Sequence, residues 1–168
     1  MPDDKSSFSE EMSFLFPEKE IACCVIRIRT LAEHCFPGVS LEVRELPTAS
    51  FTGPAGDFEV SIDGRFESFK SFKRQIEWFS GRAAFSALSR KVLGSAHQLG
   101  VSGGAPFILG SPLQVSITHA GDYAAAAISI SPVWRIGIDM ERIRSFQHKE
   151  SFLKVAFPEE PASFADSL

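Results

Sequence analysis

From about Ser68 to Leu93 the chain contains no proline and a single glycine, Gly81. Within that stretch Ile76, Phe79, Ala83 and Ala87 recur at the spacing that brings side chains to one face of a helix. Proline is the residue a helix interior tolerates least, and Gly94 stands directly after the stretch, where a left-handed cap is wanted. The pattern predicts one long helix over about 68–93, with Gly81 as the point where it could break. Such a helix needs a sheet or other helices to cover its apolar face.

Much of the remainder reads as strands. The apolar run Ile21-Ala22-Cys23-Cys24-Val25-Ile26-Arg27-Ile28 predicts an early, well-buried strand. Residues 37–66 are rich in turn formers, and Phe58-Glu59-Val60-Ser61-Ile62 ends at Asp63-Gly64, a hairpin signal. Gly103-Gly104-Ala105-Pro106 predicts a loop, and Val115–Thr118 a short strand that turns at His119-Ala120-Gly121-Asp122. Tyr123–Ile130 could be helical on its alanines. A strand suits it better, because Ser131-Pro132 then makes a tight connection onward and gives a three-stranded meander. Small alanines would let something large pack over that sheet. Ser145–Phe157 suits a helix with Phe146, Leu153 and Phe157 inward, stopped by Pro158.

The third strand of the meander would be Trp134-Arg135-Ile136-Gly137-Ile138-Asp139-Met140-Glu141, which alternates with period two. Trp134, Ile136, Ile138 and Met140 share one face; Arg135, Gly137, Asp139 and Glu141 share the other. At roughly 3.3 Å of rise per residue, the two carboxylates point the same way roughly 6–7 Å apart. Two hard oxygen ligands so placed suit a magnesium ion that keeps several waters. The same alternation also describes a strand with a solvated acidic face, and the octapeptide alone leaves both readings open.

The 168 residues suit one domain or two small halves sharing a core, and 44% hydrophobic with 23% charged content is that of a globular protein. No apolar run approaches the length that crosses a bilayer, and the polar start, Met1-Pro2-Asp3-Asp4-Lys5, carries no secretory pattern. With only three cysteines, the expected compartment is the cytoplasm. Cys23, Cys24 and Cys35 match neither a zinc site nor a redox pair, and read as small core residues. The net charge of −4 is unevenly placed. Arg65, Lys70, Lys73, Arg74, Arg82, Arg90 and Lys91 stand against Glu67 and Glu77 alone, so 65–91 carries +5 and the rest −9. A basic helix on an acidic protein favours a compact anion, such as a phosphorylated cofactor, over a long nucleic acid. A solvated helix face accounts for the same charges.

Taken in order, Lys73-Arg74 ahead of Gly81-Arg82-Ala83-Ala84, then Gly104-Ala105-Pro106, Ser116-Ile117-Thr118-His119 and Gly137-Ile138-Asp139-Met140-Glu141 resemble the phosphopantetheinyl transferases of the larger, two-half surfactin and enterobactin-synthetase type. The resemblance covers about residues 68–160. It implies an α+β fold of two pseudo-symmetric halves, each an antiparallel sheet with a long helix, the second half incomplete. The halves would span 1–112 and 113–168. It implies transfer of the phosphopantetheine arm of coenzyme A to a serine of an apo acyl or peptidyl carrier protein, with Mg2+ as cofactor. Asp139 and Glu141 would hold the metal. Arg82, Ser116, Thr118 and His119 would bind coenzyme A: a guanidinium grips phosphate bidentately, and His119 could hydrogen-bond a second phosphate. Read without the resemblance, Arg82 is equally a surface helix arginine, and His119 a turn histidine with a structural partner.

The chain also departs from that family. Ala105 stands where the family's Gly-(Lys/Arg)-Pro loop has a basic residue. The family's Trp-x-x-Lys-Glu helix, whose glutamate completes the metal site and serves as base, has no counterpart at the proper distance. Lys149-Glu150 imitates it only eleven residues after Asp139, where the sequence better fits the helix that follows the metal strand. The base is therefore unassigned, with Glu150 the remaining candidate. The chain reads as cut short, which opens an alternative: a relative that holds coenzyme A or a carrier protein without turnover. An unfinished second half would also invite self-association.

Overall fold

The computed structural model describes residues 12–18, 20–36, 51–52, 58–60 and 64–142. Strands β1 (Met12–Glu18) and β2 (Ile21–Arg27) lead into helix α1 (Ile28–Cys35). The short strands β3 (Phe51–Thr52) and β4 (Glu59–Val60) pair, and a four-residue helix α2 (Gly64–Glu67) precedes the long helix α3 (Phe72–Leu93). Strands β5 (Leu99–Ser102) and β6 (Ala105–Ile108) form a hairpin, and β7 (Val115–Ala120) and β8 (Tyr123–Ser129) form another. The α+β expectation holds, and every sheet is antiparallel.

The main sheet has the order β1-β2-β8-β7. β2 and β8 pair along their whole lengths from Ile21↔Ser129 to Arg27↔Tyr123, so strands from the expected first and second halves share one sheet. That pairing explains the one clear departure from the expected meander. Both edges of β8 are taken, by β2 and β7, so the chain beyond Pro132 has no edge of β8 left. Residues 134–141 form no ladder. They stay extended beside β7 and alternate as the sequence suggests: Ile136, Ile138 and Met140 are half-buried, while Arg135, Gly137, Asp139 and Glu141 are exposed. Trp134 is the exception to its face. It is exposed, and its indole N–H donates to Glu20 Oε2 instead.

α3 lies across the sheet face built by Ala22, Cys24, Ile26, Ala124, Ala126 and Ile128. Ser71 starts it, its hydroxyl accepting from the Arg74 N–H at 3.4 Å, and Gly94 ends it at φ 79°, its N–H donating to the Arg90 carbonyl. The expected start near Ser68 is thus four residues early. Gly81 does not interrupt the helix. A Cβ there would stand 2.6 Å from Ile117 Cγ2, so the glycine lets α3 settle onto β7. Fifteen of the 22 residues are buried, far more than one face. Phe36, Phe58 and Phe79 pack edge to face, as do Phe66 and Trp78.

Other local expectations shift by a few residues. The expected Gly103–Pro106 loop is a two-glycine turn, with Ala105 and Pro106 already in β6. His119 belongs to β7 and pairs with Ala124, so the turn is Gly121-Asp122 alone. Of the expected 58–62 strand, Glu59 and Val60 are β4, and Ser61 and Ile62 lie outside the described residues, as does the expected helix at 145–157. Cys23 and Cys24 are buried, and Cys35 is half-buried against the core. Among the described residues no helix is long and apolar enough to cross a membrane.

Candidate functional site

Edge strand β7 organises the candidate residues. Side chains alternate across a strand, and register with β8 sets which way each one goes. Ile117 and His119 stand opposite Ala126 and Ala124, on the face that α3 covers; Ser116 and Thr118 stand opposite Ala127 and Ala125, on the other face. On that second face the two conspicuous segments meet. The Ile138 N–H donates to Ser116 Oγ at 3.1 Å, and the Thr118 hydroxyl donates to Asp139 Oδ1 at 3.4 Å. The Met140 N–H donates to the same carboxylate oxygen at 2.9 Å. Side-chain bonds from an edge strand thus fasten 136–140 where a backbone ladder does not.

Among the described residues neither Asp139 nor Glu141 forms an ion pair with a cationic side chain, and both are exposed. No three His, Cys, Asp or Glu side chains among the described residues come within reach of one metal ion. The Asp139 carboxylate beside the Thr118 hydroxyl, with an exposed Glu141 two residues on, is an all-oxygen set. Such a set fits magnesium, which is commonly held by one or two carboxylates with water and substrate phosphate filling its other positions. Glu150 lies outside the described residues.

On the α3 face, His119 meets a residue that sequence reasoning passed over. Glu77, only 9% exposed at its side chain, has Oε2 at 3.9 Å from His119 Nδ1 and 3.2 Å from Arg74 Nη1, and Oε1 at 3.9 Å from Lys73 Nζ. The signal was available in its spacing. Glu77 is three and four residues from the two cations and four ahead of Gly81, which shares its helix face and touches Ile117 two residues before His119. Lys73 and Arg74 are therefore partners of a buried carboxylate, not only solvated charges.

Arg82 is placed apart from both groups. Its guanidinium stacks 3.5 Å above the Trp78 ring, and Nη1 donates to the Trp78 carbonyl at 3.4 Å. It lines a cavity of about 290 Å³ with Glu59, Phe85, Ser86, His97 and Leu99. Glu59 is fixed there by its N–H donating to Ser86 Oγ at 2.8 Å and by Arg90 at 3.6 Å. The structure thus brings Ser116, Thr118 and Asp139 together on one side of β7 and His119 with Glu77 on the other. Arg82 sits in a cavity of its own. Comparison of the chain with models of known families, with characterised proteins and with solved structures finds no match.

Proposed function

We propose that this chain is a cytoplasmic, magnesium-dependent phosphopantetheinyl transferase, acting on coenzyme A and an apo acyl or peptidyl carrier protein. One observation carries the reading. Thr118 and Asp139, 21 residues apart and each inside a segment that resembles a signature of that family, meet through a hydrogen bond on the edge of β7. In the reaction the carrier serine oxygen forms a bond to the β-phosphorus of coenzyme A. The bond from that phosphorus to the bridging oxygen breaks, adenosine bisphosphate leaves, and the serine proton passes to a general base.

Asp139 and Glu141 would hold magnesium, which when bound supplies positive charge to the pyrophosphate as charge moves onto the leaving group. Thr118 and the Met140 N–H orient the Asp139 carboxylate, and both are neutral donors that leave its charge uncompensated. Arg82 would grip a phosphate of the cofactor bidentately, and His119 would donate to another. The second reading, a relative that binds without turnover, rests on the sequence, where the family's Trp-x-x-Lys-Glu glutamate has no counterpart at the proper distance from Asp139.

Calorimetric titration with coenzyme A, with and without magnesium, tests both readings. Binding that needs magnesium is expected. No heat at any magnesium concentration would reject transferase and binding module together, and binding without any turnover on carrier protein leaves the second.

A further inference from the structure

The chain leaves β8 at Ser129 and has to turn before it can run beside β7. Glu20, in the connection between β1 and β2, holds both sides of that turn. Its carbonyl accepts from the Ile130 N–H at 2.7 Å, and its carboxylate oxygen Oε2 accepts from the Trp134 indole N–H. Inside this bracket Ser131 closes the corner, its carbonyl accepting from the Trp134 N–H at 3.4 Å and its hydroxyl from the Val133 N–H at 3.5 Å. Val133 is 82% and Trp134 54% exposed, so burial is not what fixes the corner. An ionised acceptor makes the indole bond one of the stronger kind.

Further along the same segment, Ile138 and Asp139 are fastened to Ser116 and Thr118 of β7. Residues 134–141 form no ladder, so point contacts of this kind set where the segment lies. The setting matters, because a slip of one residue along an extended segment turns every side chain to the other face. Such a slip would carry Asp139 and Glu141 away from Thr118. We propose that Glu20 is a positioning residue for Asp139 and Glu141: by holding Trp134 it fixes the direction and register in which 134–141 meets β7. The clasp stands on geometry alone, and its consequence for magnesium rests on the transferase reading.

Amide hydrogen exchange at Ile138 and Met140, whose N–H groups donate to Ser116 Oγ and Asp139 Oδ1, reads the segment directly in the full chain. Glu20→Ala is expected to speed exchange at both roughly three- to tenfold, as the loss of one hydrogen bond would, with exchange in α3 unchanged. Glu20→Gln, whose amide oxygen can still accept from the indole, should restore most of the protection. Unchanged exchange in Glu20→Ala overturns the proposal. So does an equal loss in Glu20→Gln, the mark of a charge acting at a distance, and so does an equal rise in α3, the mark of lost general stability. Trp134→Phe removes the donor instead and should match Glu20→Ala, the two together adding nothing; additive effects overturn the clasp. In the transfer assay the magnesium concentration for half-maximal rate should rise by the same factor at unchanged kcat. An unchanged magnesium requirement in a variant whose exchange has quickened overturns the link to Asp139. A wild type that neither binds nor transfers coenzyme A removes the transferase reading, and amide exchange then decides the positioning by itself. Should Glu20→Ala fail to fold, Trp134→Phe is measured by the same exchange, with the same quickening expected and no change contradicting it.

Discussion

Asp139 is held by a hydroxyl and a backbone N–H, a donor pair that steadies a carboxylate without neutralising it. Glu77 stands in the opposite situation, buried and faced by two cationic side chains and an imidazole. The two acids differ in what their surroundings prepare them for: one to meet a cation from solution, the other to hold its neighbours in place. The cysteines are prepared for neither. Burial, with the neighbouring Cys23 thiolate as a lesser cause, pushes the Cys24 thiol up to about 12, and burial pushes Cys35 up to about 11. Burial raises Cys23 as well. All three stay protonated near neutral pH, so alkylation of the native protein at pH 8 is expected to be slow and to become complete on denaturation. An unfolded chain releases its thiol protons near the ordinary value of 9.0, before the native one does. The thiol contribution to stability is therefore whole below pH 9 and falls as the pH rises toward 12, which alkaline melting curves of wild type and Cys24→Ala would report as a steeper loss in the wild type.

At the scale of the element, α3 sets the geometry through a single missing methyl group. Gly81→Ala would put a Cβ 2.6 Å from Ile117 Cγ2, and a β-branched side chain has little freedom to turn away. Overpacking costs about 1–3 kcal/mol, against which alanine returns about 1 kcal/mol in helix propensity. The expected result is a melting temperature lower by a few degrees, with transfer impaired because β7 carries Thr118 and His119. An unchanged or higher melting temperature would mean that Ile117 moves aside. The helix itself was legible from its sequence, because the lack of proline, the apolar spacing and Gly94 all point one way. The role of Gly81 was not. A glycine within a helix reads as a weak point unless one knows that a strand approaches it. Likewise the 134–141 alternation was visible, yet its ladder was not formed, since period two reports which face is buried and says nothing of whether an edge is vacant to pair.

For the whole molecule, the pairing of β2 with β8 is the long-range decision that local pattern could not supply. Each strand was readable from its own residues, but their neighbourhood joins Ile21–Arg27 to a segment about a hundred residues later. That choice buries Ala124 and Ala126 of β8 under α3 and leaves β7 as an edge, and the edge is what brings Asp139 to Thr118. The candidate site was legible in the same partial way. Asp139, Thr118 and Ser116 stand together on one side of β7, His119 meets an acid that spacing alone could have revealed, and Arg82 lines a separate cavity. The central claim is that Asp139 serves magnesium-dependent transfer. Intact-mass analysis of an apo carrier protein after incubation with coenzyme A and this chain tests it most directly. The account predicts a mass gain of one phosphopantetheine arm that requires magnesium and is absent with Asp139→Ala; no gain with the wild type at high concentration, or an equal gain with the variant, would contradict it.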